Sequence, residues 1–554
     1  MSGIFGFKNL NLEISKISEE LLHNNKNDFN YVEQENLVFC QCRIKIGNTP
    51  VYKMDFNGNL IAFNGEIYNY KDLYQEFFND TESASDVEVL MKLLDKYGLE
   101  ILNKLNGMFS FAYYEKKSGS TFLVNDRYGV KQLFYYVNGG SFAFSTEDSI
   151  LTRMLNIPFS FNDSYVQSLF VKDIFDFENK LINPNIHSVF AGEYVEITKD
   201  NEIKKYKYYL FDDFDIKSLN LNCKNEKEII NYFEELLTDA IRIRTATNQP
   251  IAMTLSGGID SSLIYTLAKE KLNLDVNVFT YSNADEGKDE FKIAKKLVEK
   301  YGDKIIKIEY DKKVFEENFK KALVALNAPC CLSDAEYYKV YKTMNEMNIP
   351  ILLEGHGSDE VLGGYVELYF SAFEQAIMEN KYSLALQILG LCKKQFPFKE
   401  LIKYLSEFCR VARKKKKNVF TVNLLYLITR KNLPKILRYW DRMLVDNAIE
   451  LRTPFLDYRV FEFLLKLPIE YKINKIGSKA ILREVLKKYK IDFVYKNKIK
   501  RGFTTSEEEI SKEQRDFFLK YYDKNRFNFD ITNIDNNIYK ACCVGFLEDY
   551  YNKK

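Results

Sequence analysis

The chain has 554 residues, of which 46% are hydrophobic and 28% are charged. This composition is typical of a globular protein, and the length predicts two or three domains. The formal net charge of +1 excludes the basic excess of a dedicated nucleic-acid-binding protein, so no nucleic acid is expected as a partner.

The first 210 residues predict short strands in apolar and polar alternation, with two helices between them. The predicted elements are a strand over 60–63, helices over 70–78 and 83–98, and strands in the segments TFLVNDRYG, FAFST and EYVEI. The second helix carries a capping box from Ser85 to Glu88. This pattern predicts a domain of stacked, largely antiparallel sheets over residues 1–210.

A polar, charged segment over residues 211–228 interrupts the pattern and is predicted to be a linker. Beyond it, a helix precedes each of the apolar segments PIAMTLS, VNVFTYS, KIIKIEY and PILLEG. Such alternation is typical of a parallel sheet covered by helices, and from about residue 366 the periodicity is mostly helical. The predicted fold class is α/β, with an N-terminal α+β sandwich of antiparallel sheets followed by a parallel-sheet domain over residues 229–554.

The segment LSGGIDSSLI, residues 255–264, is the strongest chemical signal in the chain. Two glycines allow a tight turn after an apolar strand, and a helix follows. Backbone N–H groups in such a turn, with a helix N-terminus behind them, bind anions; the Gly-Lys-Ser/Thr pattern of a Walker loop does not occur in the segment. The segment resembles the SGGxDSS loop of the ATP pyrophosphatase superfamily. This resemblance implies that ATP or diphosphate is bound by Leu255, Ser256, Gly257, Gly258, Asp260, Ser261, Ser262 and Gly355.

Two aspartates are predicted to bind Mg²⁺, because hard cations prefer carboxylate oxygen. Asp260 lies in the loop itself, and Asp359 lies in EGHGSDEVLGGY, residues 354–365, after another strand. Mg²⁺ and the loop would stabilise departing diphosphate while a substrate carboxylate becomes an acyl-adenylate.

With both motifs in view, the chain resembles glutamine-dependent asparagine synthetase and its relatives over nearly its whole length. The stretches that carry the resemblance are SGIFGF, NGEIYNY, DRYGVKQLFYY, FSTE, LSGGIDSS, GHGSDEVLGGY, AIELRTPFLDYRVFEF, GSKAILREVL and KNKIKRGF. The resemblance implies an N-terminal-nucleophile domain that hydrolyses glutamine and an ATP pyrophosphatase-type domain that uses ATP and Mg²⁺. Ammonia would pass through the interior to attack the adenylate. The implied partners are glutamine or ammonia, ATP and a carboxylate, and a homodimer is left open.

The resemblance also implies roles for single residues. At the glutamine site these are the nucleophile Ser2, the oxyanion-hole residues Asn64 and Gly65, and the glutamine-binding residues Arg43, Asn64, Glu66 and Asp86. At the adenylation site, Lys479 would stabilise the charged intermediate. Without the resemblance, Asp86 is also explained by the helix dipole alone, and Arg43 is consistent with an ordinary exposed arginine.

Two departures from the family pattern leave the activity open. The family nucleophile is a cysteine, and because an alcohol is a weaker nucleophile than a thiol, we expect Ser2 to impair glutaminase activity. Ser2 is either an engineered replacement that traps glutamine or a natural loss, and the otherwise intact pocket favours the first. At the acceptor side, His356 stands where the family has an acid and Glu354 where it has a serine, so the identity of the carboxylate stays open.

The most consistent interpretation is an ATP-dependent amide-forming ligase of the asparagine synthetase type. One alternative is an amidotransferase for another carboxylate, such as a sugar acid of a surface glycan. Another is a synthetase that joins the carboxylate to a different amine and has an inactive glutaminase domain. A non-catalytic sensor is disfavoured by the intact Asp260, Asp359 and Lys479, and a thiolating tRNA enzyme by the lack of a CxxC pair.

No cationic segment followed by an apolar core is visible near the N-terminus, and the longest apolar run, VFTVNLLYLI, is too short to span a bilayer. We therefore expect a cytoplasmic protein without a membrane partner. Nine cysteines without a repeating spacing favour reduced thiols over disulfides or a zinc site.

Overall fold

The computed structural model of the chain describes residues 3–22, 27–44, 53–80, 85–157, 165, 181, 183–210, 225–282, 291–309, 312–330, 332–397, 399–402, 418–497, 512–522 and 536–552. These residues form an antiparallel sandwich, a parallel sheet covered by helices, and a helical C-terminal part. The predicted fold class is therefore confirmed.

The N-terminal part is a sandwich of two antiparallel sheets. Its strands are β1 (Gly3–Lys8), β2 (Asn27–Gln34), β3 (Leu37–Ile44), β4 (Asp55–Phe56), β5 (Asn59–Ile67), β6 (Gly107–Glu115), β7 (Ser120–Asn125), β8 (Phe134–Asn138), β9 (Ser141–Ser145), β10 (His187–Ser188), β11 (Glu193–Ile197) and β12 (Ile203–Lys207). One sheet has the order β10-β8-β9-β1-β3-β2 and the other β12-β11-β7-β6-β5-β4. Phe39 and Phe144 of the first sheet share a buried cluster with Phe63 and Phe111 of the second, so the sheets pack face to face.

Two of the helices in the sandwich, over Tyr70–Phe78 and Asp86–Tyr97, lie at the predicted positions, and the others were not predicted. In chain order the helices are α1 (Ile14–Leu21), α2 (Tyr70–Phe78), α3 (Asp86–Tyr97), a 3₁₀ helix (Gly98–Lys104) and α4 (Asp148–Met154). The capping box of α3 is confirmed, because the Glu88 N–H donates to Ser85 Oγ at 3.2 Å. The predicted start of α3 at residue 83 lies outside the described residues.

The second part is built on parallel strands in the order β15-β14-β13-β16-β17. They are β13 (Ile251–Thr254), β14 (Asn277–Ser282), β15 (Ile305–Glu309), β16 (Ile351–Leu353) and β17 (Glu450–Arg452). The first four lie in the predicted segments. The fifth, β17, corrects the mostly helical prediction locally: it is fully buried, and Leu451 pairs with Leu352. Three residues are too few for a periodicity signal.

Helices surround this sheet and form the C-terminal part. They are α5 (Glu226–Arg244), α6 (Ile259–Glu270), α7 (Phe291–Lys300), α8 (Lys312–Leu326), α9 (Leu332–Glu346), α10 (Ser358–Leu362), α11 (Leu368–Met378), α12 (Tyr382–Gln395), α13 (Val419–Tyr426), α14 (Asn432–Asp446), α15 (Tyr458–Lys466), α16 (Ile469–Lys472), α17 (Ala480–Lys488), α18 (Asp492–Tyr495), α19 (Lys512–Leu519) and α20 (Asn536–Asn552). A π-helical turn (Leu427–Lys431), a 3₁₀ turn (Pro454–Leu456) and a hairpin of β18 (Ile473–Asn474) and β19 (Gly477–Ser478) complete it. None of the helices in the described ranges is long and apolar enough to cross a membrane.

The predicted domain boundaries stay predictions. Helix α5 begins at Glu226, so its first residues overlap the end of the predicted linker over 211–228. Residues 211–224 of that linker lie outside the described residues.

Buried ion pairs join the sandwich to the α/β part. Lys131 Nζ lies 2.8 Å from Asp441 Oδ1, with side-chain exposures of 0% and 5%. Asp148 lies 2.6 Å from Arg442 and 3.3 Å from Arg438. Because these charges are shielded from water, loss of one partner leaves the other buried without its counter-charge.

We expect Lys131→Met to lower the free energy of unfolding by about 3–5 kcal/mol, because Asp441 would remain buried without its cation. The midpoint of urea unfolding measures this change. Lys104→Met is the matched control: Lys104 pairs with Glu76 at side-chain exposures of 51% and 53%, and exposed pairs contribute about 0–1 kcal/mol. Equal midpoints for the two variants would contradict the prediction.

Lys472 is a buried lysine at the end of α16, and its Nζ donates to the Leu465 carbonyl at 2.8 Å. Burial lowers the pKa of Lys472 from 10.5 to about 7. The unfolded chain therefore binds more protons between these two values, so this residue makes stability rise with pH across that window. We expect Lys472→Met to be more stable than wild type at neutral pH and the difference to shrink toward pH 10.5. Urea midpoints over a pH series measure this, and a pH-independent difference would contradict it.

Candidate active sites

The glycine- and serine-rich loop connects the central strand β13 to α6. The Leu255 N–H donates to the Phe279 carbonyl of β14 at 2.8 Å, which holds the loop at the sheet edge. Ser256 Oγ accepts from the Gly258 N–H at 3.2 Å, and α6 starts as the Ser262 N–H donates to the Gly258 carbonyl at 3.1 Å. The loop lines a cavity of about 270 Å³ at the carboxyl end of β13, the edge where ligands bind in open α/β sheets.

Most residues predicted to bind ATP or diphosphate lie on the wall of this cavity. They are Ser256, Gly257, Gly258, Asp260, Ser261 and Gly355. Leu255 and Ser262 are fully buried and lie outside the lining of the cavity. The side chains of Leu255 and Ser262 therefore do not reach a ligand in this cavity.

Lys479 joins the two predicted metal ligands. Its Nζ contacts Asp260 Oδ2 and lies 2.8 Å from Asp359 Oδ1. Burial alone would lower the pKa of Lys479, but the two carboxylates raise it above its usual range, so the ammonium stays charged. A single cation, the Lys479 ammonium, thus contacts both acids and brings them to the same side of the cavity.

The residues present fit a Mg²⁺ site that a nucleotide would complete. Asp260 Oδ1 is buried and has no hydrogen-bond partner among the described residues, so this oxygen is left over for a cation. Within the same residues, no group of three or more His, Cys, Asp or Glu could hold a metal, but Mg²⁺ often uses only one or two carboxylates plus substrate phosphates. Gly364 permits the close approach, since a Cβ there would overlap the Asp359 carboxylate.

A histidine–glutamate pair forms another part of the cavity wall. His356 Nε2 lies 2.6 Å from Glu354 Oε2. The His356 ring packs on Trp440 of α14, with ring centroids 5.0 Å apart. Burial lowers the pKa of His356, but Glu354 and two further acids raise it overall above its ordinary value. The cavity therefore combines two aspartates joined by a lysine with an imidazole that pairs with a carboxylate.

The residues predicted to bind glutamine converge on β3, β5 and the start of α3. The Asp86 carboxylate accepts from two backbone N–H groups at 3.1 and 2.9 Å. Burial raises the pKa of Asp86, and the Arg43 guanidinium opposes this shift. Burial likewise raises the pKa of Glu66 to about 8, with neighbouring acids adding to the shift and Arg43 again opposing it. Arg43 thus lies close enough to Glu66 and Asp86 to act on both acids electrostatically, while Ser2 lies outside the described residues.

Asn64 and Gly65 lie inside β5, opposite Ser110 and Phe109 of β6. Gly65 has a φ of +128°, and a Cβ there would overlap the Met108 carbonyl, so only glycine fits. Asn64 is 2% exposed, and its Oδ1 has no hydrogen-bond partner in the described part of the chain. A buried polar atom without a partner is uncommon and is consistent with a ligand contact.

Arg452 of β17 connects the two sites, and it was not predicted as a site residue. Its Nη2 lies 3.7 Å from Glu66 Oε1, and its Nε lies 2.7 Å from Glu450 Oε1. Its carbonyl accepts from the Glu354 N–H at 3.0 Å. Arg452 thus contacts Glu66, an acid predicted to bind glutamine, and the end of the strand that precedes His356. The sequence feature that could have identified Arg452 is the pair of charged residues, Glu450 and Arg452, in the otherwise mostly apolar segment AIELRTPF.

Comparison with known proteins matches both parts of the chain. A family model for asparagine synthase matches residues 232–539, and a model for a glutamine amidotransferase domain matches residues 1–209. Asparagine synthetase (glutamine-hydrolyzing) 1 of Bacillus subtilis is 24% identical, over 97% of this chain and 90% of that protein. Asparagine synthetase (glutamine-hydrolyzing) 2 of the same organism is 26% identical, over 79% of this chain and 61% of that protein.

A relative from Methanocaldococcus jannaschii, with the provisional name asparagine synthetase (glutamine-hydrolyzing) 2, is 30% identical over 55% of this chain. The chain spans 59% of the length of this relative and 61% of the length of the second Bacillus protein. The asparagine synthase model alone covers more than half of the chain. The chain therefore belongs to the asparagine synthase family.

Proposed function

We propose that the chain is an ATP-dependent ligase that forms an amide. A substrate carboxylate attacks the α-phosphate of ATP and becomes an acyl-adenylate, and diphosphate leaves. Ammonia then replaces AMP and gives the amide, with aspartate as the first candidate for the carboxylate. The observation that carries this proposal is the contact of Lys479 with both Asp260 and Asp359 beside the anion-binding loop.

In the proposed synthetase domain, residues 229–554, the chain supplies charge and hydrogen-bond donors. The backbone N–H groups around Gly257 and Gly258 would hold diphosphate at the start of α6. Asp260 and Asp359 would hold Mg²⁺, which neutralises charge on the leaving group when it is bound. Lys479 would keep its positive charge beside the adenylate and stabilise the intermediate.

In the proposed glutaminase domain, residues 1–210, the pocket would orient glutamine. Arg43 offers a guanidinium for the α-carboxylate, Asp86 offers a carboxylate for the α-amine, and Glu66 offers a hydrogen-bonding carboxyl group beside them. Asn64 and Gly65 would supply the oxyanion hole. With Ser2 as the nucleophile, this half would work slowly, so free ammonium is the better donor for a first assay.

Diphosphate release tests the proposal. The protein is incubated with ATP, Mg²⁺, ammonium chloride and one acid at a time: L-aspartate, D-glucuronate or D-galacturonate. Release with aspartate, together with asparagine, would support the leading form of the proposal. Succinate is the matched control because it lacks only the α-amine of aspartate. Absence of release with every acid would contradict the proposed function.

A second candidate is an amidotransferase for a different carboxylate, or a synthetase for a different amine. The pair His356 and Glu354 in the cavity wall favours it, because these residues depart from the family pattern at the acceptor side. Release of diphosphate with a uronate and not with aspartate would select this candidate.

A further inference from the structure

We propose that His356 is the base that takes the proton from the nitrogen attacking the acyl-adenylate, and that Glu354 is its positioning residue. This inference rests on the proposed function and concerns only its second step, after diphosphate has left.

Amide formation requires a proton to leave the reacting nitrogen. The lone pair of ammonia forms a bond to the carbonyl carbon, and the nitrogen becomes positive. One N–H bond then breaks and its electron pair stays on nitrogen, while the bond from carbon to the AMP oxygen breaks and its pair leaves with AMP. Acyl-adenylate and ammonia thus give amide, AMP and one proton. A side chain that accepts this proton must line the cavity and have a free nitrogen or oxygen.

His356 meets these requirements better than the acids of the same cavity. The two predicted metal ligands already contact Lys479. Glu360 accepts from the Tyr365 hydroxyl at 2.5 Å. The His356 side chain lines the cavity and is 19% exposed. Nε2 is the ring atom that pairs with Glu354, so Nδ1 is the nitrogen that would accept the proton.

Two hydrogen bonds hold Glu354 beside the ring. Its Oε1 accepts from the Thr254 hydroxyl, and its N–H donates to the Arg452 carbonyl at 3.0 Å. Trp440 packs on the face of the imidazole. A buried carboxylate in this position fixes the tautomer of a histidine and stabilises the imidazolium that forms when it accepts a proton.

Charged groups from several elements determine when His356 is neutral. Burial lowers its pKa, whereas Glu354 at the end of β16 and the acids Glu360 and Asp359 of α10 raise it. Lys479 lines the same cavity from the start of α17, and α14 contributes the uncharged Trp440. Since the neutral imidazole is the active form, the rate of amide formation should increase as pH rises through this pKa.

The first test compares His356→Gln with wild type in single turnovers with L-aspartate, D-glucuronate and D-galacturonate. We expect the burst of diphosphate to stay close to wild type and amide formation from ammonium chloride to fall about 10²–10⁴-fold. With hydroxylamine the loss should be at least about tenfold smaller, because its less basic nitrogen gives up the proton more easily. His187→Gln, the same change in β10 of the sandwich, is the matched control and should leave both steps unchanged.

The second test uses the pH profile of Glu354→Gln with hydroxylamine as the nitrogen donor. Removing this carboxylate lowers the pKa of His356. The rising limb of the plot of amide-formation rate against pH should therefore move to lower pH than in wild type. A merely structural role of Glu354 would lower the rate at every pH and leave the limb in place.

The outcomes separate this inference from the proposed function. Absence of a diphosphate burst in wild type with every acid would overturn both. A normal diphosphate burst with unchanged amide formation in His356→Gln would overturn the assignment of His356 as the base and leave the proposed function in place. Equal losses with ammonia and hydroxylamine, or an unmoved limb in Glu354→Gln, would also overturn it and assign the pair a structural role.

Discussion

Asp260→Asn is expected to lower diphosphate release about 10²–10³-fold, the cost typical of removing one preorganised electrostatic contact to a transition state. Asparagine keeps the shape of the side chain but loses its charge. Lys479 would then have Asp359 as its remaining carboxylate in the contact described above. Because Asp260 Oδ1 is the buried oxygen without a hydrogen-bond partner among the described residues, the variant should also require a higher Mg²⁺ concentration for its residual activity.

The measurement is diphosphate release over a Mg²⁺ titration with the acid that is active in wild type. Asp275→Asn is the matched control, since Asp275 is exposed between α6 and β14. An Asp260→Asn variant with wild-type release and an unchanged Mg²⁺ requirement would remove Asp260 from the proposed metal site.

Ser2→Cys is expected to raise the release of glutamate from glutamine at least about tenfold, equivalent to about 1.4 kcal/mol in the activation barrier. A thiol ionises more readily near neutral pH than an alcohol and attacks a carbonyl carbon faster. The pocket of Arg43, Glu66 and Asp86 would already orient the substrate, so the nucleophile is the part that limits the reaction.

Two further variants control this experiment. Ser2→Ala has no nucleophile and should stay at or below the wild-type rate. Arg43→Ala added to Ser2→Cys should remove the gain, because the cation proposed to hold the α-carboxylate is lost. No increase in Ser2→Cys would mean that the pocket does not present glutamine to residue 2.

Short-range patterns determined much of this protein in advance. The capping box of α3 depends on residues three apart, and it formed as predicted between Ser85 and Glu88. The alternation of apolar segments and helices predicted four strands of the parallel sheet, and the glycine-serine loop was predicted at the end of β13. Such features are readable because neighbouring residues in the chain decide them.

Contacts between distant residues were decided only when the elements packed together. Lys479 and Asp260 are 219 positions apart, and Lys131 and Asp441 are 310 positions apart; no spacing in the sequence indicates either pair. The strand β17 and the position of Arg452 between the two sites depend on burial against β16, which local propensity does not report. Residue types and local order thus came from the sequence by itself. The tertiary structure decided which charges meet, because attraction between them becomes strong only where packing removes water.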